Sequence, residues 1–256
     1  MRETICGLEI EYRIQGRGKP VLLLHGWGAQ IDSFYPVIQN LSTDHTVYAF
    51  DFPGHGGSDT PSTPYAVDDY AAVAKAFMER HNIVGCDTIV HSFGGRVAIK
   101  LSSKYPDLFG KLVFCDAAGI RPKRTFTYYR KVYTYKLCKR IVKVKWLVKV
   151  LKAVGVDVEK RVKGAGSAEY QVLPPVMRAS FSKIVNEDLT KYLSKIKNSV
   201  LLIWGTEDTD TPLWMGQLME EKIPDSGLVS LKGAGHFAYL DQFQQFIVIT
   251  RQFLDH

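Results

Sequence analysis

Short, nearly continuous apolar runs punctuate the chain at Val21–Leu24, Val47–Asp51, Asp87–His91, Lys111–Cys115, Val200–Trp204 and Leu228–Leu231. Runs of this length, rich in Val, Ile, Leu and Phe, predict strands buried on both faces, which is the environment of a mostly parallel sheet. Leu8–Gln15 precedes them as a further candidate strand. Helical patterns lie between the runs. Tyr70, Val73, Ala74, Phe77 and Met78 recur at i, i+3, i+4, i+7 and i+8, an apolar stripe on a helix of about Val67–His81. Thr211-Pro212 predicts another helix start, with Thr as N-cap and Pro at the first helical position. The chain ends in a predicted helix over Ala238–Leu254. Strands alternating with helices predict an α/β fold.

The alternation stops over Ile120–Val185 and then resumes. This stretch is helical by composition and carries Tyr128, Tyr129, Tyr133 and Tyr135, so it reads as a helical insertion, a cap, with 1–119 and 186–256 as the two parts of one core domain. Were Lys139–Lys152 a single helix, its lysines and apolar residues would not separate around the wheel, which argues against a membrane-surface helix.

Charge sharpens that picture. The 256 residues hold 33 Lys and Arg against 26 Asp and Glu, a net +7. Between Arg121 and Lys163 stand 15 basic residues and two acids, Asp157 and Glu159, so this segment alone carries +13 and the remainder of the chain −6. The expectation is a solvated basic face, with an acidic carrier protein or an anionic surface as the partner it would otherwise suit. The stretch holds no nucleic-acid recognition motif, and no nucleic-acid partner is expected. Hydrophobic residues at 46% and charged residues at 23% exclude a disordered or fibrous chain. Cys6, Cys86, Cys115 and Cys138 are scattered, without metal-ligand spacing, so no metal is expected. With no run of 18 apolar residues and charges at Arg2 and Glu3 where a signal peptide would be apolar, a cytoplasmic protein with free thiols and no membrane span is expected.

The most informative segment is Val90-His91-Ser92-Phe93-Gly94-Gly95-Arg96, which follows a buried strand and opens a helix. A serine on such a turn has its Oγ held clear of the backbone at a helix N-terminus, where the Phe93 amide faces a developing oxyanion. Gly94 and Gly95 allow strand and helix to approach closely. A serine needs a base and an orienting acid, and the chain supplies both after later strands: Asp208 in Trp204-Gly205-Thr206-Glu207-Asp208, and His236 in Gly233-Ala234-Gly235-His236-Phe237. Asp116, at the end of the Lys111–Cys115 run, and Asp210 are the alternative acids. After the early strand, Leu24-His25-Gly26-Trp27-Gly28 places the Trp27 amide as a second oxyanion donor, with His25 bracing the loop. Asp51-Phe52-Pro53-Gly54-His55-Gly56-Gly57-Ser58-Asp59 reads as a structural turn.

Together these segments resemble the α/β-hydrolase superfamily, and within it the group of serine esterases, C–C hydrolases and proline-iminopeptidase-like enzymes with a helical cap. The resemblance covers the chain outside the insertion and departs at Val90, where the elbow usually has glycine. It implies an eight-stranded, mostly parallel sheet flanked by helices, a cap after the sixth strand and a site between cap and sheet. It also implies Ser92 as nucleophile, His236 as base, Asp208 as acid, the amides of Trp27 and Phe93 as oxyanion hole, and no cofactor. A serine at the elbow points to acyl transfer, so the expected reaction is carboxylic ester hydrolysis through an acyl-enzyme, with a small-molecule ester as substrate. The alternatives are C–C cleavage of a vinylogous keto acid, for which Arg96 or an arginine of the cap would supply a cation, and esterase action on monoacylglycerols or carrier-bound methyl esters. A non-catalytic small-molecule receptor is the reading from a different class.

Overall fold

Side chains in the apolar runs alternate between two core layers, which is why those runs show no polar face. The computed structural model describes residues 1–121, 126–145, 148, 151–152, 157–158 and 173–256. In strand β3 (Lys19–Leu24), Leu22 and Leu24 enter one layer while Val21 and Leu23 enter the other. The same division holds for Leu112 and Phe114 against Val113 and Cys115 in β6 (Phe109–Cys115), and for Leu202 and Trp204 against Leu201 and Ile203 in β7 (Val200–Gly205). Each such Leu, Ile or Phe contributes about 1.5–3 kcal/mol by leaving water.

The remaining strands are β1 (Arg2–Ile5), β2 (Leu8–Gly16), β4 (His45–Phe50), β5 (Cys86–His91) and β8 (Ser226–Leu231). Among the described residues they form one eight-stranded sheet in the order β1-β2-β4-β3-β5-β6-β7-β8. The pairs β1·β2 and β2·β4 are antiparallel, and all others are parallel. The expected mostly parallel eight-stranded sheet is therefore present. Strand order reverses at β3, whose neighbours are β4 and β5, so the loops leaving β3 and β5 part there and open a crevice at the carboxyl ends of the strands.

The helices are α1 (Tyr35–Leu41), α2 (Val67–Arg80), α3 (Phe93–Lys104), α4 (Phe126–Ile141), α5 (Pro175–Asn186), α6 (Thr190–Leu193), α7 (Leu213–Lys222), α8 (Ala238–Asp241) and α9 (Phe243–Asp255). The stripe Tyr70, Val73, Ala74, Phe77 and Met78 is buried as expected, in the layer that also receives Val97 and Leu101 of α3. The opposite layer takes Val37 and Ile38 of α1 and Phe246 and Leu254 of α9. No helix among the described residues is long and apolar enough to cross a membrane.

Two expectations are corrected. The helix expected from Thr211-Pro212 starts at Leu213, because the Thr211 N–H and hydroxyl are engaged by Asp208. The final helix is two, broken at Gln242 with φ −126° and ψ 47°, next to Asp241, whose carboxylate accepts the Gly235 N–H at 2.8 Å. Lys139–Lys152 is not one helix, since α4 ends at Ile141 and a turn follows at Val142–Lys143. The chain divides into two units, Met1–Arg121 with Ala179–His256, and Pro122–Arg178. Much of the expected 120–185 insertion lies outside the described residues.

Candidate active site

Four strands of the larger unit deliver their following loops to one place. β5 ends at His91, and Ser92 turns the chain into α3 with φ 47° and ψ −108°, a conformation a non-glycine residue holds only at a cost of about 1–3 kcal/mol. The surroundings fix it: the Ser92 N–H donates to the Cys115 carbonyl at 3.2 Å, and its own carbonyl accepts the N–H groups of Gly95 and Ala118 at 3.0 and 2.8 Å. Glycine is required behind it. A Cβ on Gly94 would stand 2.3 Å from the Leu24 carbonyl oxygen, and one on Gly95 would stand 2.6 Å from Ala117 Cβ. Val90, the departure from the usual elbow, is fully buried in the layer beneath α3 and leaves the turn intact.

Ser92 Oγ lies 2.9 Å from His236 Nε2, and His236 Nδ1 lies 2.9 Å from Asp208 Oδ2. The three residues singled out in the sequence thus form one chain of hydrogen bonds. Asp208 is held from behind, its Oδ1 accepting the backbone N–H groups of Asp210 and Thr211 at 2.8 and 2.9 Å. Asp210 thus meets Asp208 through its main chain, and its charge adds to the field that raises the His236 pKa. Asp116 is also excluded as the partner of His236: its two oxygens accept the N–H groups of Gly205 at 2.8 Å and Ala238 at 2.9 Å, pinning the acid loop to the base loop. Burial pushes its carboxyl up to about 7 against those two bonds.

Burial raises the Asp208 pKa, but the bonds from His236 and Thr211 outweigh it and hold the carboxyl below the usual range. For His236 the signs invert: burial disfavours the imidazolium, while the hydrogen bond and charge of Asp208 favour it more strongly, leaving the pKa raised. Both shifts describe one pair that stabilises the charged imidazolium.

Sequence reasoning missed Thr211, which it took for a helix cap. Its hydroxyl lies 2.6 Å from Asp208 Oδ2 and 2.9 Å from the Asp116 carbonyl, sharing a single proton between two acceptors. Thr211→Val keeps the shape and removes that donor. Asp208 then directs more of its charge to His236, so an NMR titration of the imidazole is expected to show the His236 pKa rising further above its wild-type value.

The loop after β3 lies against the elbow, since a Cβ on Gly26 would stand 3.3 Å from Ser92 Cβ. His25 braces this loop, donating from Nδ1 to the Gly26 carbonyl at 2.7 Å and accepting the Phe52 N–H at Nε2 at 2.9 Å. Burial lowers its pKa to about 4, so it stays neutral. Among the described residues, neither the Trp27 nor the Phe93 backbone N–H donates to a protein acceptor. Their rings meet edge to face at 5.5 Å, and Trp27 also packs on His55 at 4.6 Å and Phe181 at 5.3 Å, giving the site an aromatic wall. The Asp51–Asp59 turn is structural: Asp51 accepts the N–H groups of Ile31 and Gly57 at 2.7 and 2.9 Å.

A half-buried, strained serine, an imidazole and a paired carboxylate in this order can carry nucleophilic acyl transfer. The model of the family described as alpha/beta hydrolase fold matches residues 19–243. An uncharacterized protein of Mycobacterium tuberculosis is 27% identical, the match covering 98% of this chain and 80% of that protein. A pimeloyl-[acyl-carrier protein] methyl ester esterase of Neisseria meningitidis serogroup B is 27% identical over 93% of each chain. Among solved structures, the enol-lactonase of Burkholderia xenovorans LB400 superposes with a TM-score of 0.77 at 20% identity over 100% of both chains. The esterase EaEST of Exiguobacterium antarcticum gives 0.77 at 22% identity, over 100% of this chain and 99% of that one. A meta-cleavage product hydrolase of Pseudomonas fluorescens IP01 gives 0.74 at 21%, over 100% and 97%. At these identities the structures share the fold.

Proposed function

The chain belongs to the alpha/beta hydrolase family, and from that premise we propose that it hydrolyses carboxylic esters through an acyl-enzyme on Ser92. The observation that carries this reading is the unbroken line from Ser92 Oγ through His236 to Asp208, with 2.9 Å at each step. Ser92 Oγ attacks the acyl carbonyl as its proton passes to His236 Nε2. The carbonyl oxygen, now negative, takes the N–H groups of Trp27 and Phe93, each such donor contributing about 100- to 1,000-fold in rate. His236 returns the proton to the leaving alcohol, then takes one from water as hydroxide attacks the acyl-serine, and Ser92 is regenerated with its proton. Residues 1–119 and 186–256 are read as the core of this enzyme, and 120–185 as a cap that selects the substrate. The four cysteines are free, which suits the cytoplasm.

The pH dependence follows from the sign of the His236 shift. As a base it must be neutral, and its pKa lies above the ordinary value of about 6.5. In wild type, kcat/KM is expected to fall on the acid side with a midpoint above that value, measured on a p-nitrophenyl ester.

C–C cleavage of a vinylogous keto acid would call for a free cation to hold the substrate carboxylate. Arg96, the candidate from sequence, is buried, and its Nη1 donates to the Glu187 carbonyl at 2.8 Å. That removes Arg96 as the cation and leaves the C–C reading dependent on an arginine of the cap. The test compares kcat/KM for p-nitrophenyl esters from acetate to laurate with that for a ring-fission dienoate; faster cleavage of the dienoate would overturn the ester reading. A second substrate reading rests on the +13 segment Arg121–Lys163 together with the name of the Neisseria relative: an ester presented on an acidic carrier protein. In that case kcat/KM for the carrier-bound ester falls as salt rises, while that for a free neutral ester does not.

A further inference from the structure

His91 is a buried imidazole that the reaction as written does not use. It ends β5, stands directly before Ser92 and is 1% exposed. Its Nε2 lies 2.7 Å from the main-chain carbonyl oxygen of His236. A carbonyl only accepts, so Nε2 carries the proton and Nδ1 does not. Nδ1 is buried and, among the described residues, has no hydrogen-bond partner. It faces the loop that bears Trp27, because a Cβ on Gly26 would stand 2.8 Å from it. The ring also packs on the rings of His236, Phe237 and Tyr239 at 5.0, 4.9 and 5.0 Å.

We propose that His91 is a positioning residue for the ester reaction: a neutral imidazole that ties the main chain of the base to the end of the nucleophile strand and sets how closely the Trp27 loop approaches. The proposal rests on the reading of Ser92, His236 and Asp208 as the reacting chain. The main chain of the loop holding His236 is also tied by Asp241 to Gly235, by Asp116 to Ala238, by the Glu207 N–H to the Ala234 carbonyl and by the Thr206 hydroxyl to the Gly233 N–H, and none of these reaches β5. The bond from His91 is the one described hydrogen bond that joins His236 main chain directly to the strand carrying Ser92. Without it, the two loops are joined only indirectly, through Asp116, Cys115 and Asp208, so the spacing of His236 Nε2 from Ser92 Oγ is less sharply set, and a displacement near 1 Å costs about 100-fold in rate. Burial holds the His91 pKa down at about 3, so the N–H donor and the bare Nδ1 persist across the working range.

Three variants separate positioning from packing. His91→Phe keeps a ring but has no N–H; His91→Asn has an amide too short to reach the His236 carbonyl; His91→Gln can place its amide where Nε2 stands. With p-nitrophenyl butyrate, His91→Phe and His91→Asn are expected to lower kcat about 100-fold with KM nearly unchanged, and His91→Gln to restore most of it. A merely structural role would lower melting temperature in all three without that split. The same proteins labelled with 15N-histidine give a readout independent of turnover: the His236 imidazole resonances shift in His91→Phe and return in His91→Gln. His236 resonances and kcat unchanged in His91→Phe would overturn the proposal. If wild type neither turns over esters nor is labelled at Ser92, the hydrolase reading fails instead, and the His236 resonances alone decide whether His91 holds the loop.

Discussion

Asp208→Asn is expected to lower kcat about 10,000-fold while KM stays within a few-fold. The reason is the tautomer it imposes. Oδ1 of Asp208 accepts two backbone N–H groups, from Asp210 and Thr211, so an asparagine there must keep its carbonyl oxygen at that position. Its NH2 then falls where Oδ2 stood, facing His236 Nδ1. A donor at that point obliges Nδ1 to accept, which moves the imidazole proton to Nε2 and aims it at Ser92 Oγ. The base is occupied by its own proton. Neither Asp116 nor Asp210 rescues the variant, because Asp116 spends both oxygens on Gly205 and Ala238. Steady-state kinetics on p-nitrophenyl esters measure the loss, and a circular dichroism melt near that of wild type separates it from unfolding.

Gly94→Ala is the second large effect, and it reverses a usual sign. In an exposed helix interior, alanine for glycine gains about 1 kcal/mol. Gly94 is the second residue of α3, and the new methyl would meet the Leu24 carbonyl oxygen at 2.3 Å. That oxygen is backbone of a central strand and cannot swing aside, so α3 must move off β3 at a cost of about 1–3 kcal/mol or more. The clash outweighs the propensity. Because Ser92 is the N-cap of α3, the displacement reaches Ser92, and both melting temperature and kcat are expected to fall.

Much of this was legible in the sequence, for reasons that can be stated element by element. The strands β3, β5, β6 and β7 are largely buried on both faces, so each contains a run of consecutive apolar residues, such as Val21–Leu24 or Leu112–Cys115, that announces it. β1 is an edge strand in which only Ile5 is buried, and Arg2-Glu3-Thr4 carries no strand signal. α1 is seven residues long, too short for a periodic stripe to stand out. The break at Gln242 is made by a tertiary bond, Asp241 to Gly235, with no glycine or proline at that residue to mark it.

The candidate site divides the same way. Ser92, Asp208 and His236 are legible because each follows a strand signal in a glycine-marked turn, although 144 residues separate the serine from the histidine and β8, before His236, is buried only at Leu231. The choice among Asp116, Asp208 and Asp210 needed distances. Thr211 reads as a helix cap and His91 has no role in the motifs, since the Asp116 and His236 carbonyls they meet are brought near only by the fold.

The central claim is that Ser92 is the nucleophile, and covalent labelling tests it most directly. Wild type and Ser92→Ala are treated with a fluorophosphonate probe and digested, and the modified peptide is located by mass spectrometry, with p-nitrophenyl ester hydrolysis followed on the same samples. One label is expected on Ser92 in wild type, with both label and hydrolysis lost in Ser92→Ala. A label on another residue, hydrolysis that survives in Ser92→Ala, or a wild type that neither labels nor hydrolyses would contradict it, the last result favouring a small-molecule receptor built on the same fold.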